Sequence, residues 1–262
     1  MKTLFERARH GESLGIDIVD IHGHLGRYGF TIPDLSAASL VSSMDRLGID
    51  AILCSSMHCL TRYTEEGNEE IHAAMQAFPR RICGYISVYP GKAESIRRSV
   101  MGWLDKGFIG IKLHDSNGLP YTHPGYEQAY TIAEERCLPL LLHTWGEERQ
   151  IRDIEQLAAR FPNISFLLAH SGSERVHEYI RLSNKYPHVY LELAFSQARR
   201  GLLEHLVAEA GSDKVVWGSD CIFINQAQQL GRVIGADLSD AVKIELLGAN
   251  ARKILARAQQ VA

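Results

Sequence analysis

Short apolar runs alternate with longer segments of helical spacing along most of the chain. Eight of the short runs are rich in β-branched residues or leucine, which is typical of strands buried on both faces of a parallel sheet. The pattern predicts strands at Asp17–His24, Ile49–Ser56, Ile82–Val88, Phe108–His114, Leu138–Trp145, Ile164–His170, Val189–Ala194 and Lys214–Asp220. It predicts helices at Asp34–Leu47, Glu66–Phe78, Lys92–Lys106, Gly125–Arg136, Glu147–Arg160, Ser173–Lys185 and Gln197–Ala210.

The spacing of these elements indicates a closed barrel. Successive strands begin about 30 residues apart, which is the length of one strand–helix unit. Eight such units in a chain of 262 residues predict a single (β/α)8 TIM-barrel domain spanning residues 1–262. An open doubly wound sheet shows the same alternation and is the alternative fold. Residues 1–16 form an N-terminal extension that we expect to pack on a partner subunit or across the bottom of the barrel.

Charge and composition exclude several classes of binding partner. A formal net charge of −3 shows no basic footprint for nucleic acid or acidic membranes, and no apolar window is long enough for a membrane span. The first residues lack the apolar core of a signal peptide. The five cysteines form no Cys-x-x-Cys pair, which favours reduced thiols in a cytoplasmic protein. We therefore expect a small-molecule substrate; a homo-oligomer stays open.

Histidines gather at the predicted strand ends. The chain has 12 histidines, and five of them lie at or next to the carboxyl ends of predicted strands. They are His22, His24, His114, His143 and His170. Chemistry in parallel α/β folds gathers at those ends. A placement of this kind indicates an active site.

The residue types at these ends indicate a metal site. His22 and His24 lie two residues apart on one strand, so both side chains reach the same face. Imidazoles with a carboxylate, supplied by Asp220 at the eighth strand end, suit Zn²⁺ or another first-row divalent ion. The alternative is that each histidine bonds to a loop and that Asp220 caps a helix.

Lys112 and His114 end the fourth predicted strand. A lysine between Ile111 and Leu113 is costly to bury unless it is paired or used chemically. It could contact a substrate anion, bridge two metals after carbamylation by CO₂, or pair with a carboxylate such as Glu192. His114 faces the same way and could bind substrate or line the mouth.

These residues, in this order, resemble the amidohydrolase superfamily. More narrowly, the chain is similar to the amidohydrolase-related (amidohydrolase 2) group, which includes the aminocarboxymuconate semialdehyde decarboxylase-like enzymes. The supporting motifs are GIKLH, LPLLLHTW, FPNISFLLAHSG, KVVWGSD and GANARKIL, and the resemblance extends over residues 17–256. After GSD the group usually continues with Tyr-Pro, whereas this chain has Cys221-Ile222-Phe223.

The resemblance implies a metal at the carboxyl mouth of a TIM barrel. In mononuclear members it assigns His22, His24, His143 and Asp220 as ligands, with His170 as a base or acid near the metal-bound water. In binuclear members a carbamylated lysine on the fourth strand bridges the ions, and His143 and His170 bind the second one. One ion is favoured because the narrower group is mostly mononuclear, and Lys112 keeps two ions open.

Three functions remain. The first is hydrolysis of a small amide, ester or lactone by metal-activated water, with Asp220 and His170 as catalytic residues. The second is non-oxidative decarboxylation or hydration of an unsaturated or aromatic acid, with Lys112, Arg27 or Arg62 anchoring the carboxylate. The third is a non-catalytic barrel whose metal is structural, which the absence of cysteines from the set disfavours.

Overall fold

Strands and helices alternate in the predicted order. The structure, a computed structural model, describes residues 2–29, 31–32, 34–194 and 199–259. The strands in this part of the chain are β1 (Val19–Leu25), β2 (Ala51–Ser56), β3 (Ile82–Ser87), β4 (Gly110–Leu113), β5 (Pro139–Leu142), β6 (Ser165–Leu168), β7 (Val189–Glu192) and β8 (Val215–Val216). The helices are α1 (Leu4–Arg9), α2 (Ala37–Leu47), α3 (Thr64–Ala77), α4 (Ala93–Asp105), α5 (Glu127–Glu135), α6 (Glu148–Arg160), α7 (Val176–Lys185), α8 (Leu202–Ala210), α9 (Gln226–Ile234), α10 (Asp240–Ile244) and α11 (Asn250–Gln259).

The strands close into a barrel. All neighbouring pairs from β1 to β8 are parallel and follow chain order. The chain after β8 returns to β1, where Ile21 N donates to Trp217 O at 3.2 Å and Asp220 N donates to His22 O at 2.8 Å. The predicted (β/α)8 barrel is confirmed, and the open doubly wound sheet is wrong.

Several of the predicted elements are shorter in the structure than the sequence predicts. The eighth strand is regular only over Val215–Val216, and Asp220, predicted as its last residue, has a left-handed φ of 56° that no strand adopts. Helix α2 begins at Ala37 because Ser36 caps it by accepting from Ser39 N, and Gly48 at φ 70° ends it. The start of the helix predicted at Gln197 lies outside the described residues.

Two apolar clusters hold the barrel together. The larger one packs the strands against the surrounding helices, and the smaller one fills the interior, with Ile21, Tyr85 and Leu167 among its members. Ile254 of α11 belongs to the interior cluster, so α11 covers the end of the barrel opposite the histidines. The N-terminal extension is tied to α10, because Leu4 N donates to Asp240 Oδ2 at 3.0 Å.

No helix in the described part of the chain is both long and apolar enough to cross a membrane. The five cysteines are free thiols, as the sequence predicts.

Candidate metal centre and active site

A bulge in β1 aims the first two histidines. The register between β1 and β2 shifts between Asp20 and Gly23. A bulge of this kind re-aims the side chains that follow it. Ile21 therefore packs in the barrel interior, while the next residue, His22, joins His24 at the mouth. Gly23 faces outward, where an added Cβ would meet the Ile52 side chain at 2.9 Å.

Three potential metal-ligand atoms converge at the mouth of the barrel. His22 Nε2 lies 3.2 Å from His24 Nε2 and 3.5 Å from Asp220 Oδ1. His24 Nε2 lies 3.3 Å from the same carboxylate oxygen. Both histidines are buried, and they form with Asp220 one of the two groups of potential metal ligands among the described residues.

The hydrogen bonds assign the proton of the His22 ring. Lys112 Nζ lies 3.1 Å from His22 Nε2, and an ammonium group can only donate, so this nitrogen carries a lone pair. The proton is then on His22 Nδ1, which donates to Glu192 Oε2 at 3.1 Å. His24 Nδ1 lies 3.3 Å from the carbonyl oxygen of Ser55 and 3.0 Å from its hydroxyl, which can donate or accept, so both tautomers of His24 have partners. The lone pair of His22 Nε2, the His24 Nε2 atom and a carboxylate oxygen thus face one another.

The turn that carries Asp220 is held by hydrogen bonds to the buried carboxylate of Asp20. Ser219 donates to Asp20 through its backbone N at 2.9 Å and also through its hydroxyl. Gln226 Nε2 donates to the same carboxylate at 3.1 Å. Burial acts to raise the pKa of Asp220, but the His22 and His24 rings outweigh burial and hold that pKa below its ordinary value. Asp220 is therefore ionised at neutral pH.

His143 and His170 form the opposite wall of the site. His170 has a left-handed φ of 59°, and its Nδ1 donates to Ala194 O. His170 Nε2 lies 3.2 Å from His143 Nδ1, which must then be the donor. His143 stacks on His114 at a centroid distance of 3.7 Å, and Trp145 stacks on His170 at 4.7 Å. The structure brings His143 next to this pair, but its nitrogens belong to neither convergent group of described residues.

His114 presents a hydrogen-bond donor at the mouth. Its Nδ1 accepts from Ser116 N at 3.2 Å, so the ring proton is on Nε2. Burial lowers the pKa of His114 well below its usual value, so the ring is neutral.

Lys112 is fully buried beside the convergent atoms. Burial lowers its pKa. The predicted alternative of an ion pair with Glu192 is wrong: within the described residues Lys112 has no carboxylate at salt-bridge distance, because Glu192 is turned towards His22.

Sequence analysis did not assign Glu192 and Asp20 to the site. Both carboxylates are fully buried, and burial raises the pKa of each to about 7. The available signal was an acidic residue within an apolar strand, as in VYLELA and DIVDIH.

The residues that depart from the family motif shape the rim. Phe223 lies against His24 at a centroid distance of 5.6 Å, and Tyr28 lies against Phe223 at 5.3 Å. The loop after Asp220 therefore adds an aromatic surface next to the convergent atoms.

The fold and site define a barrel enzyme whose functional side chains lie at the carboxyl ends of its strands. The family model described as "Amidohydrolase", for the amidohydrolase-2 group, matches residues 19–257. The chain therefore belongs to this family, and the predicted family and the predicted enzyme are confirmed. No curated protein matches the sequence significantly.

Solved structures share the fold at low identity. An uncharacterized TIM-barrel protein from Bordetella bronchiseptica has a TM-score of 0.77 and 16% identity, covering 93% of this chain and 100% of its own. A 5-carboxyvanillate decarboxylase from Novosphingobium aromaticivorans, complexed with manganese and a nitrobenzoic acid, has a TM-score of 0.74 and 14% identity over 92% of this chain and 96% of its own. A probable 2-pyrone-4,6-dicarboxylic acid hydrolase from Acinetobacter baumannii has a TM-score of 0.69 and 14% identity, covering 92% of this chain and 100% of its own. Similar barrels thus include proteins named for both reactions that the sequence left open.

Proposed function

We propose that this protein is a metal-dependent hydrolase of small anionic amides, esters or lactones, with one divalent ion held by His22, His24 and Asp220. The observation that carries the proposal is the convergence of two ring nitrogens and an ionised carboxylate on one buried point. The ammonium of Lys112, 3.1 Å from His22 Nε2, compensates these acceptors in part, and a divalent ion between them would compensate them in full.

The spacing fits the expected ion. Ligands bound at about 2.0–2.1 Å in a tetrahedron lie about 3.3–3.4 Å apart. The three observed separations are 3.2, 3.3 and 3.5 Å. His143, whose Nε2 keeps the lone pair, is the proposed fourth ligand. Nitrogen and carboxylate donors favour zinc, and they also suit other first-row ions.

The hydrogen bonds around His170 support one ion rather than two. In the second convergent group, His22, His170 and Glu192, the carboxylate already accepts from His22 Nδ1. Both ring nitrogens of His170 are also engaged, with Ala194 O and His143 Nδ1. A second ion there would have to break these bonds.

The side chains handle the protons and the charge. A divalent ion at this point supplies activated water and polarises a carbonyl. Asp220, ionised next to the attacking water, accepts its proton at a carboxylate oxygen and returns it to the leaving group. His170 Nε2 accepts from His143 Nδ1, so it takes up a further proton only when that bond breaks, and the Trp145 ring stacked on His170 fixes its plane.

Lys112 and His114 are the proposed substrate contacts. The ammonium of Lys112 is buried without a carboxylate partner among the described residues, so an anionic substrate group would compensate its charge. The His114 Nε2–H donor can hold a carbonyl or carboxylate oxygen. The free cysteines support a cytoplasmic location for this chemistry.

The alternative is decarboxylation of a carboxylic acid at the same site, and the uncompensated charge of Lys112 supports it equally. Product analysis in ¹⁸O-labelled water separates the reactions. Metal-loaded and metal-free protein are compared on a panel of anionic lactones, esters, amides and aromatic acids. We expect metal-dependent turnover with one solvent oxygen in the product. Release of CO₂ without solvent oxygen would replace hydrolysis by decarboxylation, and equal turnover without metal would overturn both.

A further inference from the structure

Glu192 lies at the end of β7, two strands from β1 around the barrel, and binds two walls of the site at once. One oxygen, Oε2, accepts from His22 Nδ1 at 3.1 Å and from His170 backbone N at 3.1 Å. The other oxygen, Oε1, accepts from Ala194 N at 2.7 Å. The Ala194 carbonyl in turn accepts from the His170 ring. One buried carboxylate therefore connects the proposed ligand His22 with the proposed base His170.

The chain makes room for this carboxylate at Gly218. A Cβ at position 218 would collide with Glu192 Oε1 and would lie 2.6 Å from His22 Cβ. Real Cβ atoms essentially never approach other atoms this closely. Gly218 is therefore required by the packing of the Glu192–His22 pair.

We propose that Glu192 is a positioning residue that sets the proton of His22 on Nδ1 and thereby keeps the His22 Nε2 lone pair available to a metal. The role rests on the proposed metal centre. A carboxylate that orients a ligating histidine typically changes metal affinity by about 10–100-fold when it is replaced.

An amide at this position cannot reproduce the three bonds. A glutamine offers one acceptor oxygen and one NH₂ group where the carboxylate offers two acceptors. If the NH₂ group takes the place of Oε2, it faces His22 Nδ1, which relieves the conflict by moving the ring proton to Nε2. If it takes the place of Oε1, it meets the Ala194 N–H donor. Both arrangements weaken the proposed ligand set.

The test is zinc affinity, measured by competition with a chromophoric chelator on wild type, Glu192→Gln and Gly218→Ala. The melting temperature of each metal-free protein reports separately on folding. We expect about 10–100-fold weaker zinc binding in Glu192→Gln. Gly218→Ala should weaken binding in the same direction, because its methyl group displaces the carboxylate from the opposite side. ¹⁵N shifts of the His22 ring should show the proton on Nδ1 in wild type and a larger share of it on Nε2 in Glu192→Gln.

Two variants control for general damage. Asp153→Asn removes another buried carboxylate, which accepts from Tyr121 N and Thr122 Oγ1 rather than from a proposed ligand. Gly231→Ala adds a methyl group in α9 where nothing lies within 4 Å. Both should keep wild-type affinity. Unchanged affinity in Glu192→Gln, or an equal loss in Asp153→Asn, would overturn the role of Glu192. A wild-type protein without zinc affinity would overturn the metal centre itself.

Discussion

The positive charge of Lys112 lies next to the proposed metal ligands only because the barrel brings β4 and β1 together. Lys112 donates to the same nitrogen, His22 Nε2, that we assign to the metal. An ammonium and a divalent ion compete for this lone pair and repel each other. Lys112 therefore opposes metal binding if it stays an amine, whereas a carbamylated Lys112 would supply a ligand.

This contrast gives the first prediction. Lys112→Met should bind zinc at least about tenfold more tightly than wild type, a change of about 1.4 kcal/mol, because a neighbouring positive charge is removed. Turnover of anionic substrates should fall. Chelator competition measures the affinity. Lys243→Met removes the other buried lysine, which donates to Ile234 O, and should leave zinc affinity unchanged. Loss of zinc in Lys112→Met would instead support a carbamylated bridge and two ions.

At the level of elements, the bulge in β1 decides which side chains reach the site. Tyr85 of β3 supports it from within the barrel, because its buried hydroxyl donates to Ile21 O at 3.0 Å. Burial raises the pKa of Tyr85 well above its usual value, so the hydroxyl remains a donor.

Replacing this hydroxyl should destabilise the barrel. Tyr85→Phe should lower the free energy of unfolding by about 1–2 kcal/mol, since the Ile21 carbonyl loses a buried partner. Denaturant titration measures the change. Tyr190→Phe is the matched control, because within the described residues the Tyr190 hydroxyl has no hydrogen bond and its ring is half-buried beside Lys214. Equal losses in both variants would contradict a specific role for the Tyr85 bond.

Helices α6 and α7 are joined by a surface ion network. Glu155 accepts from Arg181 through both oxygens, at 2.9 and 2.8 Å, and from Lys185 at 2.8 Å. These bonds lower the pKa of Glu155 to about 2. Because the folded pKa lies below the unfolded value of 4.5, the stabilisation is complete above 4.5 and is lost as pH falls towards about 2.

The corresponding variant is Glu155→Gln. It should be less stable than wild type by about 1 kcal/mol or less at pH 7, since the network is solvent-exposed. The difference should shrink as pH falls below the unfolded pKa and should vanish near the folded one. Thermal unfolding across this pH range measures it, with the exposed Glu135→Gln as control. A difference that persists unchanged at the lowest pH would contradict the ion network as its source.

At the scale of the whole molecule, the proposed metal centre lies at one end of the barrel and helix α11 covers the other end. Helix α11 packs Ile254 into the interior cluster, which contains none of the convergent ligand atoms. Stability and metal binding should therefore separate.

Ile254→Ala should lower the free energy of unfolding by about 2–4 kcal/mol, through lost burial and a residual cavity. Its zinc affinity should equal that of wild type. Lys253→Ala, on the exposed face of the same helix, should change neither quantity. A large loss of zinc affinity in folded Ile254→Ala would show that the two ends are coupled.

Much of this arrangement could be predicted from local sequence. The eight strands follow from their apolar runs, and His22, His24 and Asp220 follow from their positions at strand ends. The roles of Glu192, Gly218 and Asp20 could not be predicted, because they depend on contacts between residues that are far apart in the chain. Glu192 is 170 positions from His22 in the chain, and no local pattern reports that contact. The β1 bulge likewise depends on register with β2.

The most direct test of the metal centre is the zinc content of the purified protein after loading and removal of free ion. Wild type, Asp220→Ala and the exposed control Asp237→Ala are compared by elemental analysis. We expect one equivalent of zinc in wild type and in Asp237→Ala, and a substoichiometric amount in Asp220→Ala, whose site has lost its carboxylate. A full equivalent bound with wild-type affinity by Asp220→Ala, or no zinc in wild type, would contradict a metal centre built on His22, His24 and Asp220.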